Sequence, residues 1–282
     1  MSTDIFLIVL IAALLHALWN FAARSVRGNL SVLWLAIVLA SLCIFPFAIA
    51  CVTFDRSLVM GIPYIIATGV IHAAYFALLG KSYETGEISS VYPIARGTGV
   101  MGTGLIAYLL LAEPVSFYGA FGIASVCAGI FLVGVSDLHH QRTPRNVLLA
   151  LAVGASIASY SIVDKVGVSL VNPVFYIFCL SVITAAIIAP VIFMKRRQEC
   201  RLALKDMKRY ICFIGLGSMG TYLLILFTFR SGLVSYIVAT REFSVVIGAM
   251  LGFVFLKEHI SPVKGLGIAA IAMGLVLVKI AS

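Results

Sequence analysis

Charge is what this chain has least of. Only 11% of its 282 residues are charged and 62% are hydrophobic, against about a quarter charged and half apolar in an ordinary soluble domain. That balance excludes a water-soluble globule and places the chain in lipid. Its six cysteines show no Cys-x-x-Cys spacing, so neither a disulfide framework nor a zinc site is indicated. A phosphate cradle is also missing: "GTGVMGTG" at 97–104 sits in an apolar run and lacks the Gly-Lys-Ser/Thr ending, which excludes ATP hydrolysis at a P-loop. The net charge of +9 comes without the aromatic interleaving that stacks bases, so no nucleic acid is needed to explain it. Met1–Asp4 has no basic n-region, and His16, Trp19 and Asn20 interrupt the first apolar run; it reads as a mature helix, not a signal peptide.

What the chain does have is long apolar runs. Ten stretches are long enough to cross a hydrocarbon core of roughly 30 Å: Ile5–Ala23, Ser31–Val52, Ile62–Leu79, Ile88–Leu111, Val115–Val135, Val147–Val163, Val174–Met194, Tyr210–Phe229, Leu233–Leu256 and Val263–Ile280. They are continuous, not short and alternating, so they predict helices and not the strands of an outer-membrane barrel.

The second half repeats the first. Sliding the chain by 145 positions aligns the fourth and fifth stretches with the ninth and tenth, and twelve of 45 columns are identical, among them Arg96/Arg241, Glu113/Glu258, Ser116/Ser261, Gly122/Gly267 and Gly129/Gly274. Five spans per half is an odd number, so the second copy enters the membrane from the opposite side. The expected architecture is all-α and integral to the membrane: ten transmembrane helices in two inverted five-helix repeats, residues 1–139 and 140–282. In such folds the solute site lies near the midplane, where the halves meet.

The "ALLHALWN" of the first helix and the paired "LLLAEPVS" and "FLKEHIS" stretches resemble the drug/metabolite transporter superfamily, EamA type. The resemblance covers essentially the whole chain. It implies a central cavity lined by helices one, three, four, six, eight and nine, with five and ten behind, and both termini in the cytoplasm. The residues add their own reading: Ser116 and Ser261 suit N-caps, Pro262 suits a first helical position, and Glu113 and Glu258 suit structural roles in the tight linkers.

Arg96 and Arg241 are the chemically demanding residues, since a guanidinium near the bilayer centre costs roughly 2.5–3.5 kcal/mol on the lower insertion scale. Each is the ninth residue of its run, so both fall roughly 5 Å short of the midplane from opposite sides and should share one interior. Around them, helical spacing gathers His16, Trp19, Asn20 and Ala23 on helix one, His72, Tyr75, Phe76 and Leu79 on helix three, Tyr92 and Arg96 on helix four, and Ile237, Arg241, Ser244 and Gly248 on helix nine. The candidate substrate-binding residues are therefore Arg96, Arg241, Glu242, His16, Trp19, Asn20, His72 and Tyr92. Glu242 reads as the one carboxylate well inside a span, which leaves a positive surplus suited to carboxylate or phosphate groups. Glycines 97, 99, 102, 104, 248 and 252 read as close-packing positions or as hinges.

Fourteen basic residues flank one side of the predicted spans and four the other. The positive-inside rule then puts both termini outside, opposite to the resemblance. Half of that bias lies in "MKRRQECRLALKDMKRY" at 194–210, expected as an interfacial helix against anionic headgroups.

The leading function is a secondary active transporter in the cell (inner) membrane. It would export or exchange small organic metabolites, amino-acid-like or otherwise carboxylate- or phosphate-bearing, with proton or counter-solute coupling. Two further classes stay open: an exporter of cationic drugs or amines relying on Glu242, and a non-transporting scaffold or lipid-translocating partner. An enzyme is not expected, because the adjacent His139 and His140 lack further ligands; no cofactor and no metal are called for.

Overall fold

The computed structural model describes residues 1–26, 29–85, 88–136, 144–257 and 261–281, apart from the side chains at 24, 82–85, 88–92, 135–136 and 256. The described residues form helices: α1 (Thr3–Ser25), α2 (Leu30–Cys51), α3 (Arg56–Thr85), α4 (Ile88–Leu110), α5 (Phe117–Ser136), α6 (Pro144–Leu170), α7 (Pro173–Lys195), α8 (Arg197–Asp206), α9 (Lys208–Ser231), α10 (Val234–Arg241), α11 (Phe243–Leu256) and α12 (Pro262–Ile280). Nine crossings among them are long and apolar enough for a membrane, α10 and α11 together making one, Val234–Phe255. The Arg96-bearing α4 has 23 residues, roughly 35 Å of helix, and brings the membrane-length segments to ten.

Two helices outrun their apolar windows. α3 continues to Thr85 and α6 to Leu170, because a helix ends where its backbone bonds end and not where hydrophobicity does. The predicted ninth span is broken: the Glu242 N–H bonds Ala239 O, three residues back, at 3.1 Å, which tightens the helix between α10 and α11. Most of the stretch expected as an interfacial helix forms the short α8 and the start of α9, with Cys200 and Ala203 buried against the bundle, Met207 packed beside them and Leu202 and Leu204 exposed.

Helix starts repeat between the halves. Asn29 accepts from Ser31 N–H (2.9 Å) and Asn172 from Val174 N–H (2.9 Å) to start α2 and α7. Ser116 accepts from Gly119 N–H (3.2 Å) and Ser261 from Lys264 N–H (3.2 Å) to start α5 and α12, as their sequence predicts. Ala112 and Lys257, 145 positions apart, take the left-handed conformation (φ 50° and 54°) just beyond α4 and α11.

Packing exchanges in the same way. α3 lies on α6 and α1 on α9; α2 lies on α9 and α7 on α3. α5 and α12 cross antiparallel through glycines. A Cβ on Gly129 would sit 2.6 Å from Gly267 O, one on Gly267 2.8 Å from Gly129 O, one on Gly122 2.8 Å from Gly274 O and one on Gly274 2.6 Å from Gly122 O. Such backbone-to-backbone contact replaces the hydrophobic drive that lipid does not supply. Ser125 adds a bond to Ala270 O at 2.8 Å.

Candidate functional site in the bundle interior

α10 is the axis of the site, and all eight of its residues are buried. Glu113 holds its N-terminus by accepting from Val234 N–H (2.6 Å), Ser235 N–H (3.1 Å) and the Ser235 hydroxyl (2.6 Å), a carboxylate on the positive end of a helix. The structural role expected for Glu113 is this cap; Glu258 lies outside the described residues. Lys165 closes the preceding α9 by donating to Phe229 O (2.5 Å) and Gly232 O (2.8 Å). Tyr236 packs in the space left by Gly119, and its hydroxyl accepts from Ser116 N–H at 3.1 Å, so it serves the scaffold. The same cap and packing fix where Arg241, at the far end of α10, must sit.

Arg96 and Arg241 are 6% and 3% exposed and converge on one acid, Glu242, which is fully buried. Arg96 Nε donates to Glu242 Oε2 at 2.9 Å, and its Nη2 lies 3.1 Å from His16 Nε2 and 3.3 Å from Ser244 Oγ. Arg241 is less engaged. Its Nε stands 3.9 Å from Glu242 Oε1, beyond hydrogen-bond range, and Nε, Nη2 and Glu242 Oε1 all lack a hydrogen-bond partner. Nε and Nη2 form one edge of the guanidinium, the edge that takes a carboxylate or phosphate by two parallel bonds. The adjacent positions 241 and 242 are both inside because α10 is enclosed on every side.

The other predicted residues divide. Trp19 meets His16 edge-on at 5.0 Å and has a buried, unpartnered Nε1, while Asn20 donates to its own helix at His16 O (2.7 Å). Tyr92 belongs to α4, but its side chain is outside the described set; His139 and His140 are outside it altogether. Trp19 also borders a cavity of about 540 Å³ lined by apolar residues of α1 and α9 and by Arg209. None of the buried ionic groups lines that cavity, so it does not mark the chemistry.

His72 belongs to a second cluster that the sequence reading missed. The expectation of a single intramembrane carboxylate is wrong: Asp164 on α6 is fully buried and accepts from the Tyr176 hydroxyl (2.8 Å) and the Tyr222 hydroxyl. His72 Nδ1 lies 2.9 Å from Thr68 O and 3.0 Å from Thr68 Oγ1, and its ring stacks on Tyr160 at 4.3 Å. Arg241 is close enough to act electrostatically on His16, His72 and Tyr222, and so stands between the clusters. With Asp164 and the capping Glu113 counted beside Glu242, the buried carboxylates are not outnumbered by the two buried guanidiniums among the described residues. The positive surplus is then local to Arg241 and is not a property of the whole interior.

Glycines also divide. Gly99 and Gly102 sit against Ile157 and Ala158, whereas Gly97 on α4 and Gly248 on α11 have nothing within 4 Å of an added Cβ.

Comparison with known proteins agrees with this architecture. The EamA-like transporter family matches residues 145–280. "Multidrug resistance protein EbrB" of Bacillus subtilis (strain 168) is 34% identical over 66 residues, 23% of this chain and 56% of that protein. Its namesake in Bacillus atrophaeus is 34% identical over 72 residues, 26% of this chain and 62% of that protein. The chain thus spans a little over half the length of these relatives. A crystal structure covering 99% of this chain and 98% of its own superposes with a TM-score of 0.78 at 15% identity, which shows a shared fold.

Proposed function

Taking the EamA-like transporter pattern of residues 145–280 as premise, we propose that the chain is a secondary active transporter of small organic solutes bearing a carboxylate or phosphate. The observation that carries this reading is the unpartnered Nε/Nη2 edge of buried Arg241. Burying such an edge without an acceptor is costly, and an anionic group supplies both acceptors at once.

Arg241 is enclosed, so a solute reaches it only when the surrounding helices part. We assign the moving bodies to the two five-helix halves, 1–139 and 140–282, alternating access about the α5–α12 crossing. The reciprocal glycine contacts and exchanged helix neighbours support that division. So does the break at Glu242, since interrupted helices at the midplane are a recurring way to expose backbone and charge to a solute.

A second reading has its own observation. Glu242 Oε1 is also unpartnered, and the curated relatives are named as multidrug resistance proteins; a cationic drug or amine bound at Glu242 would use that oxygen. Counterflow into vesicles separates the two. On the first reading, labelled amino acids or organic phosphates exchange, and Arg241→Ala abolishes the exchange. If only labelled organic cations exchange and Arg241→Ala leaves them unaffected, the first reading falls to the second.

A further inference from the structure

Resting on the transporter reading, we infer that Asp164 is a proton-binding site separate from the solute site, and that it couples transport to a proton gradient. Asp164 is fully buried on a helix of membrane-spanning length, yet it forms no ion pair among the described residues; this sets it apart from Glu242. Its neighbour Lys165 is turned away to the carbonyls at the end of α9.

The groups facing Asp164 come from every side. α3 presents Thr68 and His72, α7 presents Tyr176, α9 presents Tyr222, and its own α6 presents Tyr160. From α10, Arg241 acts through space on His72 and Tyr222 of that shell, while Arg96 of α4 bonds Glu242. A carboxylate held by neutral hydroxyls and an imidazole, without a fixed cation, has a second stable state: one proton on a carboxyl oxygen, with no net charge left in the membrane. Both phenols donate into the carboxylate, and no third acidic, histidine or cysteine ligand joins Asp164 and His72 among the described residues, so the arrangement suits a proton better than a metal ion.

The proton enters from water on one side, sits on Asp164 and leaves to water on the other. The sign of the coupling follows from Arg241. An anion on its free edge cancels the positive potential that Arg241 exerts on His72 and Tyr222, and so favours proton uptake by the cluster; solute and proton then travel together.

The first test needs no substrate. The infrared difference spectrum of lipid-reconstituted protein between acid and neutral pH should show a buried carboxylic-acid C=O band that Asp164→Asn removes. The same band persisting in that variant overturns the site. Should Asp164→Asn fail to fold, Tyr222→Phe, which removes one hydrogen bond from the group, must raise the band's frequency; an unmoved band is equally fatal. The second test uses vesicles with an imposed pH gradient and a labelled L-amino acid mixture as probe. The wild type should accumulate probe down the proton gradient, and Asp164→Asn should lose that accumulation. Equal accumulation by both proteins overturns the coupling. Absence of any counterflow by the wild type would instead remove the transporter reading, leaving the infrared result to decide proton binding alone.

Discussion

The seam between α5 and α12 and the interior around α10 solve opposite problems. At the seam, glycines bring two antiparallel backbones into contact, and Ser125 donates its hydroxyl to Ala270 O. Around α10, Arg96, Arg241 and Glu242 are buried together, and hydrogen-bonding atoms of Arg241 and Glu242 go unmet. Close small-residue contact is what a fixed pivot requires. Unmet charge inside a bundle is expensive and is retained where a ligand completes it. On the proposed transport cycle, the seam is the part that holds still and the interior around Arg241 is the part that takes a ligand.

The comparison can be broken hardest at Glu242. Replacing it with Ala leaves Arg96 and Arg241 buried without their shared partner, and removing one member of a buried pair costs about 3–5 kcal/mol. Thermal unfolding of the purified variant in detergent should show this as the largest loss of the set. The seam comes next. Gly129→Ala and Gly267→Ala each drive a methyl into the opposite backbone, at 2.6 and 2.8 Å, and each should cost about 1–3 kcal/mol. The two losses should match, because the contacts are reciprocal; clearly unequal losses would break the pseudo-symmetric account. Gly97→Ala, which meets nothing within 4 Å, should stay within about 0.5 kcal/mol of wild type.

Smaller effects sharpen the picture. Glu113→Gln keeps the side chain's shape but removes its charge and sets an NH2 donor against a backbone N–H of the α10 cap, and should cost about 1–2 kcal/mol. Hydrogen exchange at Val234 and Ser235 would report the loosening where it occurs. Smallest is Lys257→Gly: relieving a left-handed residue should stabilise by up to about 1 kcal/mol, and a loss at that position would contradict the backbone argument.

Much of this was legible in the chain. Apolar length gave the spans, Ser116 and Ser261 gave the starts of α5 and α12, and the paired arginines pointed to one shared interior. Asp164 was not legible by the same means. The hydropathy window closed at Val163 because "DK" reads as the edge of a loop, although the apolar run resumes through Leu170. Its spacing of four from Tyr160 was the available signal, since that places both on one helical face. The break at Glu242 carried no glycine or proline to announce it. The division of labour between His16 and His72 depends on which helix each meets, and one helix's periodicity does not contain that information.

The central claim is that the free edge of Arg241 binds an anionic group. The most direct measurement is the thermal shift of lipid-reconstituted protein across matched panels of organic carboxylates, organic phosphates and amines. A ligand at 100 times its Kd would stabilise by about 2.7 kcal/mol. The account predicts stabilisation by one of the anionic panels that Arg241→Lys abolishes, because lysine keeps the charge and loses the fork. Stabilisation by amines alone, or by anions equally in wild type and Arg241→Lys, would contradict it.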